Sequence, residues 1–424
     1  MRTDCVDCGK KSVIKLKMGI TDNFLVCLGI FTILLVTLPP TLQGPISNKD
    51  NAGFSTSLES FANKFSTQLA KSSKGQNIIY SPFSIQTCVA MASLGAEGET
   101  AAEMNRGLSL NANNDEITAK NFRSILSTYE DSKILKIANK MYIMKDFEVQ
   151  DKFNELLTQN FFTSAENIDF NQSTKAAQTI NSWVESKTNN LIKNLVSDKA
   201  FNEKTRLVLL NAIYFKGEWE HAFPESGTSQ QPFYISEKTS VEVPMMSQRG
   251  TFRYADLPQI EAAVLEMPYK DSDLSMLIFL PNAINGLGSL RQKLQTVSLH
   301  EIMDQLYSSK VIVNMPKFKT EYEMELTEIL KKLGMERMFS KDAEFGKLLK
   351  SPEMFAVSNV LHKAFIEVNE KGTEAAAATG IFMVGSLRPG PPEIINHFIV
   401  NHGFYYMIVN KDGVVFFQGA QSHI

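Results

Sequence analysis

Six stretches of this chain, 207–215, 274–280, 311–315, 364–368, 404–409 and 414–417, are apolar along nearly their whole length. A strand with one wet face alternates apolar and polar residues with a period of two, whereas a strand apolar on both sides must be covered on both faces. The chain therefore needs sheets buried under helices or under other sheets, and helical patterns are interleaved with these runs. Ser81 and Pro82 suit the cap and first turn of a helix that Gly95 closes. Residues 181–195 carry Trp183, Val184 and Leu191 on one side of an amphipathic helix, and 325–333 read as another helix, stopped by Gly334. Asp412 and Gly413 mark a hairpin turn between the last two runs. No Pro-, Gly- or Ser-rich break divides the chain after residue 54, so residues 47–424 are expected to form a single α+β domain.

The first 46 residues are of another kind. Lys10, Lys11, Lys15 and Lys17 precede an apolar run over 24–38, followed by Pro39, Pro40 and Gly44. This is the order of a secretory signal, a basic segment and then an apolar segment short for a membrane span, with a signal anchor as the alternative. The expectation is a secreted, extracellular protein, free of the membrane once residues 1–46 are removed, with Met1 and Met18 as alternative starts. Cys5, Cys8 and Cys27 belong to that leader, which leaves Cys88 alone in the mature chain, without a disulfide partner and reading as a small buried hydrophobe. Asn171 opens the sequon Asn171, Gln172, Ser173 and is the expected glycosylation site.

Several chemistries are excluded. A net charge of −3 over 424 residues gives no general attraction to nucleic acid or anionic lipid. The chain has no G-x-S-x-G, H-E-x-x-H, P-loop or dinucleotide-binding glycine pattern. His221, His300, His362, His397, His402 and His423 are scattered along the chain, so no metal and no cofactor are expected. An enzyme is the weaker class.

The informative segment is 370–392, EKGTEAAAATGIFMVGSLRPGPP. Read with period two, Thr373, Ala375, Ala377, Thr379, Ile381 and Met383 share one uncharged face, and Glu374 falls on the other with Ala376 and Ala378. Such a stretch is fit to become a buried central strand, while the glycines around it, Gly372 and Gly380 among them, also allow an exposed loop.

This stretch resembles the hinge of the inhibitory serpins, and so does a long ordered series of motifs: NIIYSPFS (77–84), LGAEGET (94–100), NSWV (181–184) with Thr188, LLNAIYFKGEW (209–219) with Phe223, VPMM (243–246), MPKF (315–318) and HKAF (362–365). The resemblance covers about residues 54–420. It implies the serpin fold: three β-sheets, about nine helices and an exposed reactive loop. It implies a monomeric suicide substrate of a serine protease, which cleaves the loop and is carried off covalently as the loop inserts into the central sheet. Residue by residue, Glu370, Gly372, Thr373, Glu374, Ala375, Ala376, Ala377, Ala378 and Thr379 match the hinge. Ser81, Ser84, Asn211 and His362 match the shutter, where central strands part. Trp219, Phe223 and Lys317 match the breach, where the hinge enters, with Lys317 paired to Glu370. Counting seventeen residues from Glu370 puts the scissile bond between Ser386 and Leu387, which suits an elastase-like protease; Leu387 as the bait suits a chymotrypsin-like one, and Arg388 a trypsin-like one. The segment Pro389, Gly390, Pro391 and Pro392 lengthens the distal arm beyond the family pattern, and Gly403 stands where the family usually has Pro. A serpin acting as carrier, chaperone or storage protein is the alternative.

Overall fold

The computed structural model describes residues 48–73, 75–111, 114–351, 355–373 and 394–424. The leader with Cys5, Cys8 and Cys27, the hinge residues Glu374, Ala375, Ala376, Ala377, Ala378 and Thr379, and the bait candidates Ser386, Leu387 and Arg388 lie outside the described residues. Residues Ser47–Ile424 cluster as one compact unit.

Sixteen strands and nine α-helices, each numbered in chain order, are found among the described residues. The helices are α1 (Asn48–Ser72), α2 (Pro82–Ser93), α3 (Gly98–Gly107), α4 (Asp115–Tyr129) and α5 (Asp151–Phe161). They continue as α6 (Ser173–Lys187), α7 (Leu287–Lys293), α8 (Leu299–Gln305) and α9 (Thr327–Lys332). One sheet runs β3 (Ala165–Ile168), β2 (Leu135–Met144), β4 (Leu207–Phe215), β12 (Val357–Asn369), β13 (Gly372–Thr373) and β5 (Gly217–Glu218), with β11 (Phe318–Glu325) beside β12. The other runs β1 (Ile78–Tyr80), β16 (Val415–Gln421), β15 (Phe404–Asn410), β9 (Leu274–Pro281), β8 (Ala262–Pro268), β7 (Thr239–Leu257), β10 (Tyr307–Pro316) and β14 (Asn396–Ile399). In that sheet β6 (Ser229–Ser236) pairs with the start of β7.

Where three sheets are implied by layer, hydrogen bonding joins them into two. The 19-residue β7 pairs with β6 at its beginning and with β8 at its end, so one strand serves both regions. The apolar runs sit where continuous burial requires: all nine residues of β4 are buried. Helix α2 is buried at all twelve positions and touches β2 and β4 of one sheet and β16 of the other. A helix buried on every side belongs inside a core, where its polar residues need internal partners, and this one carries Ser84 to Asn211 of β4. Ser81 caps it, its hydroxyl accepting from the Ser84 N–H at 3.1 Å.

Two expected helices shift. The amphipathic pattern placed at 181–195 belongs to α6, which ends at Lys187; Asn189, Asn190 and Asn194 then adopt left-handed φ values of 49°, 62° and 51°. Asn accepts that conformation more readily than other non-glycine residues, so this run breaks the helix and leaves Leu191 beyond it. The helix expected at 325–333 begins at Thr327, because the alternation of Phe318, Thr320 and Met324 inward extends β11 to Glu325. The Glu325 carboxylate then accepts from the Thr327 N–H at 3.1 Å and marks the change of geometry.

Candidate functional site

The site is a seam in the seven-stranded sheet. β4 and β12 run parallel and are paired from Leu207 with Val357 to Tyr214 with Phe365. Above that point the same edge of β12 has a different partner. Val368 and Asn369 pair antiparallel with Thr373 and Gly372, and these pair in turn with Gly217 and Glu218 of β5. The seam is thus closed along most of its length and already holds two residues of a further strand at its mouth.

The chain is tied down just before that entry. The Trp219 N–H donates to Lys371 O at 2.9 Å, the Phe223 N–H to Glu370 O at 2.8 Å, and the indole N–H of Trp219 to Asn369 O at 3.1 Å. Lys317 Nζ lies 3.0 Å from the Glu370 carboxylate, and the Thr228 hydroxyl donates to it at 2.7 Å. Partial burial pushes the Glu370 carboxyl up, but the bonds from Thr228 and Lys317 outweigh it and hold the group below the ordinary carboxylate range. Lys317 is 39% exposed while Glu370 is 11% exposed, so the pair is worth no more than about 1 kcal/mol after screening.

Gly372 has no substitute at the mouth. Its φ is +154°, and a Cβ there would lie 2.1 Å from Gly217 O and 2.6 Å from Glu218 Cα. Thr373 is fully buried, and its hydroxyl shares a 2.9 Å hydrogen bond with that of Tyr269. The Tyr269 ring stacks on Trp219, with centroids 4.7 Å apart and planes at 15°, and meets Phe215 edge-on at 4.6 Å.

Halfway down the seam lies a buried polar cluster. His362 on β12 and Asn211 on β4 are direct partners in the pairing, and His362 Nδ1 bonds Asn211 Oδ1. The other ring nitrogen, Nε2, accepts the Ser81 N–H at 3.3 Å. These partners make Nδ1 the protonated nitrogen and leave Nε2 as the acceptor. Asn211 Nδ2 donates to Ser84 Oγ and, at 2.6 Å, to Asn139 Oδ1. Burial drives the His362 pKa down to about 3, so the ring is neutral. Every strand bordering the seam's middle therefore meets α2 through one hydrogen-bonded group.

A family model described as "Serpin (serine protease inhibitor)" matches residues 56–424. The chain belongs to the serpin family. Among curated relatives, Antitrypsin of Bombyx mori is 35% identical over 395 residues, covering 91% of this chain and 98% of the relative. The solved structure of cleaved Serpin 42Da is 46% identical with a TM-score of 0.81, covering 88% of this chain and 99% of that one. Human thyroxine-binding globulin complexed with thyroxine is 26% identical with a TM-score of 0.79, covering 88% and 99%.

In this serpin the structure brings together Ser81, Ser84, Asn211 and His362 as one cluster, and Trp219, Phe223, Lys317, Glu370, Gly372 and Thr373 as another. Asn171 is exposed in the turn before α6. Two participants were missed by the sequence reading. Asn139 lies in β2 directly before Lys140, so its local sequence does not mark it out. Tyr269 sits just past β8 and is likewise unmarked. Cys88 is fully buried, its thiol pushed up by burial and donating to Leu210 O at 3.4 Å. Among the described residues no group of three His, Cys, Asp or Glu is placed to hold a metal, and no helix is long and apolar enough to cross a membrane.

Proposed function

We propose that this serpin inhibits a serine protease as a suicide substrate, and that Gly372 and Thr373, held between β12 and β5, are the start of the insertion. The protease serine attacks the carbonyl carbon of the bait residue, the peptide C–N bond breaks, and the new amine leaves with a proton. The cut strand can then follow Thr373 down the seam while its end remains esterified to the protease.

The observed register supports this reading. Six steps on from Thr373 reach position 379, six back from Val368 reach His362, and six back from Gly217 reach Asn211. Both borders agree, because His362 and Asn211 already face each other across the closed seam. An inserted Thr379 would therefore meet the buried polar cluster. Ala375 and Ala377 would face Ile366 with Phe215, and Ala364 with Ile213, where only small side chains fit between packed neighbours. Ten steps reach position 383 opposite Leu207, about 33 Å from the mouth at strand rise, and the bait candidates Ser386, Leu387 and Arg388 follow close behind. An added buried strand makes the cleaved form more stable than the intact one, so the intact form persists by its barrier to opening.

The thyroxine binder shows that the fold also serves binding, which keeps a carrier as the rival. The uncharged face formed by Thr373, Ala375, Ala377 and Thr379, in a stretch without proline from Gly372 to Gly380, favours insertion, since a charge on that face would have to be buried without a partner. The remaining features complete the proposal: no catalysis of its own, a covalent complex with the protease, a monomer, export directed by residues 1–46, and a glycan on exposed Asn171. The test is incubation with elastase-, chymotrypsin- and trypsin-like proteases. A complex stable in SDS and a released peptide beginning at Leu387, Arg388 or Pro389 are expected. Cleavage by all three with no covalent band would sink the inhibitor reading.

A further inference from the structure

We propose that Tyr269 is the positioning residue that seats the start of the inserting strand, acting through a single hydroxyl pair with Thr373; this rests on the insertion reading above. The two residues belong to different sheets. Thr373 lies in β13 at the mouth of the seam, while Tyr269 follows the last residue of β8 and its N–H donates to Leu274 O at 3.0 Å. Their hydroxyls, 2.9 Å apart, therefore fasten the entering strand to the sheet behind it.

The ring has little freedom to move. Trp219 stacks on one face and Phe215 abuts it edge-on. Gly217 leaves the room it occupies, since a Cβ there would lie 2.5 Å from Tyr269 Cδ1 and 2.7 Å from Phe215 Cζ. Trp219 is itself held by the indole bond to the O of Asn369, the last residue of β12 and the pairing partner of Gly372. Tyr269 is 2% exposed and Thr373 is fully buried, so neither hydroxyl has water to fall back on. Burial pushes the Tyr269 phenol up, which keeps it protonated across the accessible pH range.

This isolation gives the pair a signature that simple packing lacks. Removing one hydroxyl strands the other in a dry site, whereas removing both leaves an apolar pair of nearly the same shape. Tyr269→Phe keeps the ring and its stacking, and Thr373→Val keeps the side-chain volume. Each single change should lower the seated population about tenfold, and the double change should restore it.

The experiment uses the full chain as wild type, Tyr269→Phe, Thr373→Val and the double variant. Each is cleaved in the loop with whichever of the three protease classes cuts it. Two quantities are measured: the rate at which cleaved chain becomes resistant to urea unfolding, followed by tryptophan fluorescence, and the ratio of SDS-stable complex to free cleaved chain. The expected result is about tenfold slower acquisition of resistance and a lower complex ratio in each single variant, with the double variant within about threefold of wild type. Single variants at the wild-type rate, or a double variant slowed by the product of the two single effects, would overturn the assignment to Tyr269 alone. Cleaved wild type that never becomes resistant would overturn the insertion reading as well, which separates the two failures.

Discussion

Replacing Gly372 with Ala tests the seam at the point where the structure leaves least room. The added Cβ would stand 2.1 Å from Gly217 O, a backbone atom that cannot rotate away, at a φ of +154° that L residues avoid. The strain alone costs about 1–3 kcal/mol before any clash is counted. The alternative is to unseat β13, which gives up its ladder bonds to β12 and β5 and the Thr373 bond to Tyr269. At about 0.5–1.5 kcal/mol each, these amount to roughly 2–4 kcal/mol. Unseating is the comparable or cheaper route, so the variant should fold with its hinge displaced. On mixing with a protease that wild type captures, Gly372→Ala should be cleaved at the same bond. The SDS-stable complex should fall at least tenfold, with free cleaved chain accumulating in its place. Gly288→Ala serves as the control, since a Cβ there meets nothing within 4 Å. Undiminished complex from Gly372→Ala, together with the same gain in heat resistance after cleavage, would refute the claim that β13 begins the insertion.

Other outcomes follow from the same geometry. His362 has a folded pKa of about 3, below its ordinary value near 6.5, so the unfolded chain takes up a proton that the folded chain refuses. The stability this neutral ring supports is complete above pH 6.5 and should fall by about 1.4 kcal/mol for each pH unit below it, towards pH 3. Urea unfolding at pH 7 and pH 5 should show a larger acid loss for wild type than for His362→Gln; equal losses would contradict the assignment. Cys88 should resist a thiol reagent in the folded chain and react fully once unfolded, and prompt labelling of native protein would show that α2 is not buried as described. When the chain is expressed through a secretory pathway, Asn171→Gln should remove the mass of one glycan. An unchanged mass would rule out modification at that site.

Much of this protein is legible in its residue order. The apolar runs locate β4, β9 and β15 nearly residue for residue, because a strand covered on both faces stays apolar along most of its length. Ser81 and Pro82 place the start of α2 for the same local reason. Helix ends were less legible where a competing conformation won: the asparagines after Lys187 and the strand alternation up to Glu325 each overrode a helical pattern. The uncharged alternate face from Thr373 onward is also local information, and it says that the segment is fit to be a strand.

What sequence could not say is where that strand would go. Gly372 and Glu218, or Thr373 and Tyr269, are more than a hundred residues apart, and nothing in either local pattern selects the other. The sheet decides it, because β12 shares one edge between β4 and β13 and so marks both a closed seam and its open end. The histidine is similar: His362 is one scattered imidazole in the sequence, and becomes a neutral, singly oriented ring only when Ser81 and Asn211 take its two nitrogens in a fully buried site. Local propensity thus determines which segments are strands, helices and spare strand. Register, close approach and desolvation, which depend on residues distant in the chain, decide which of them meet and with what charge.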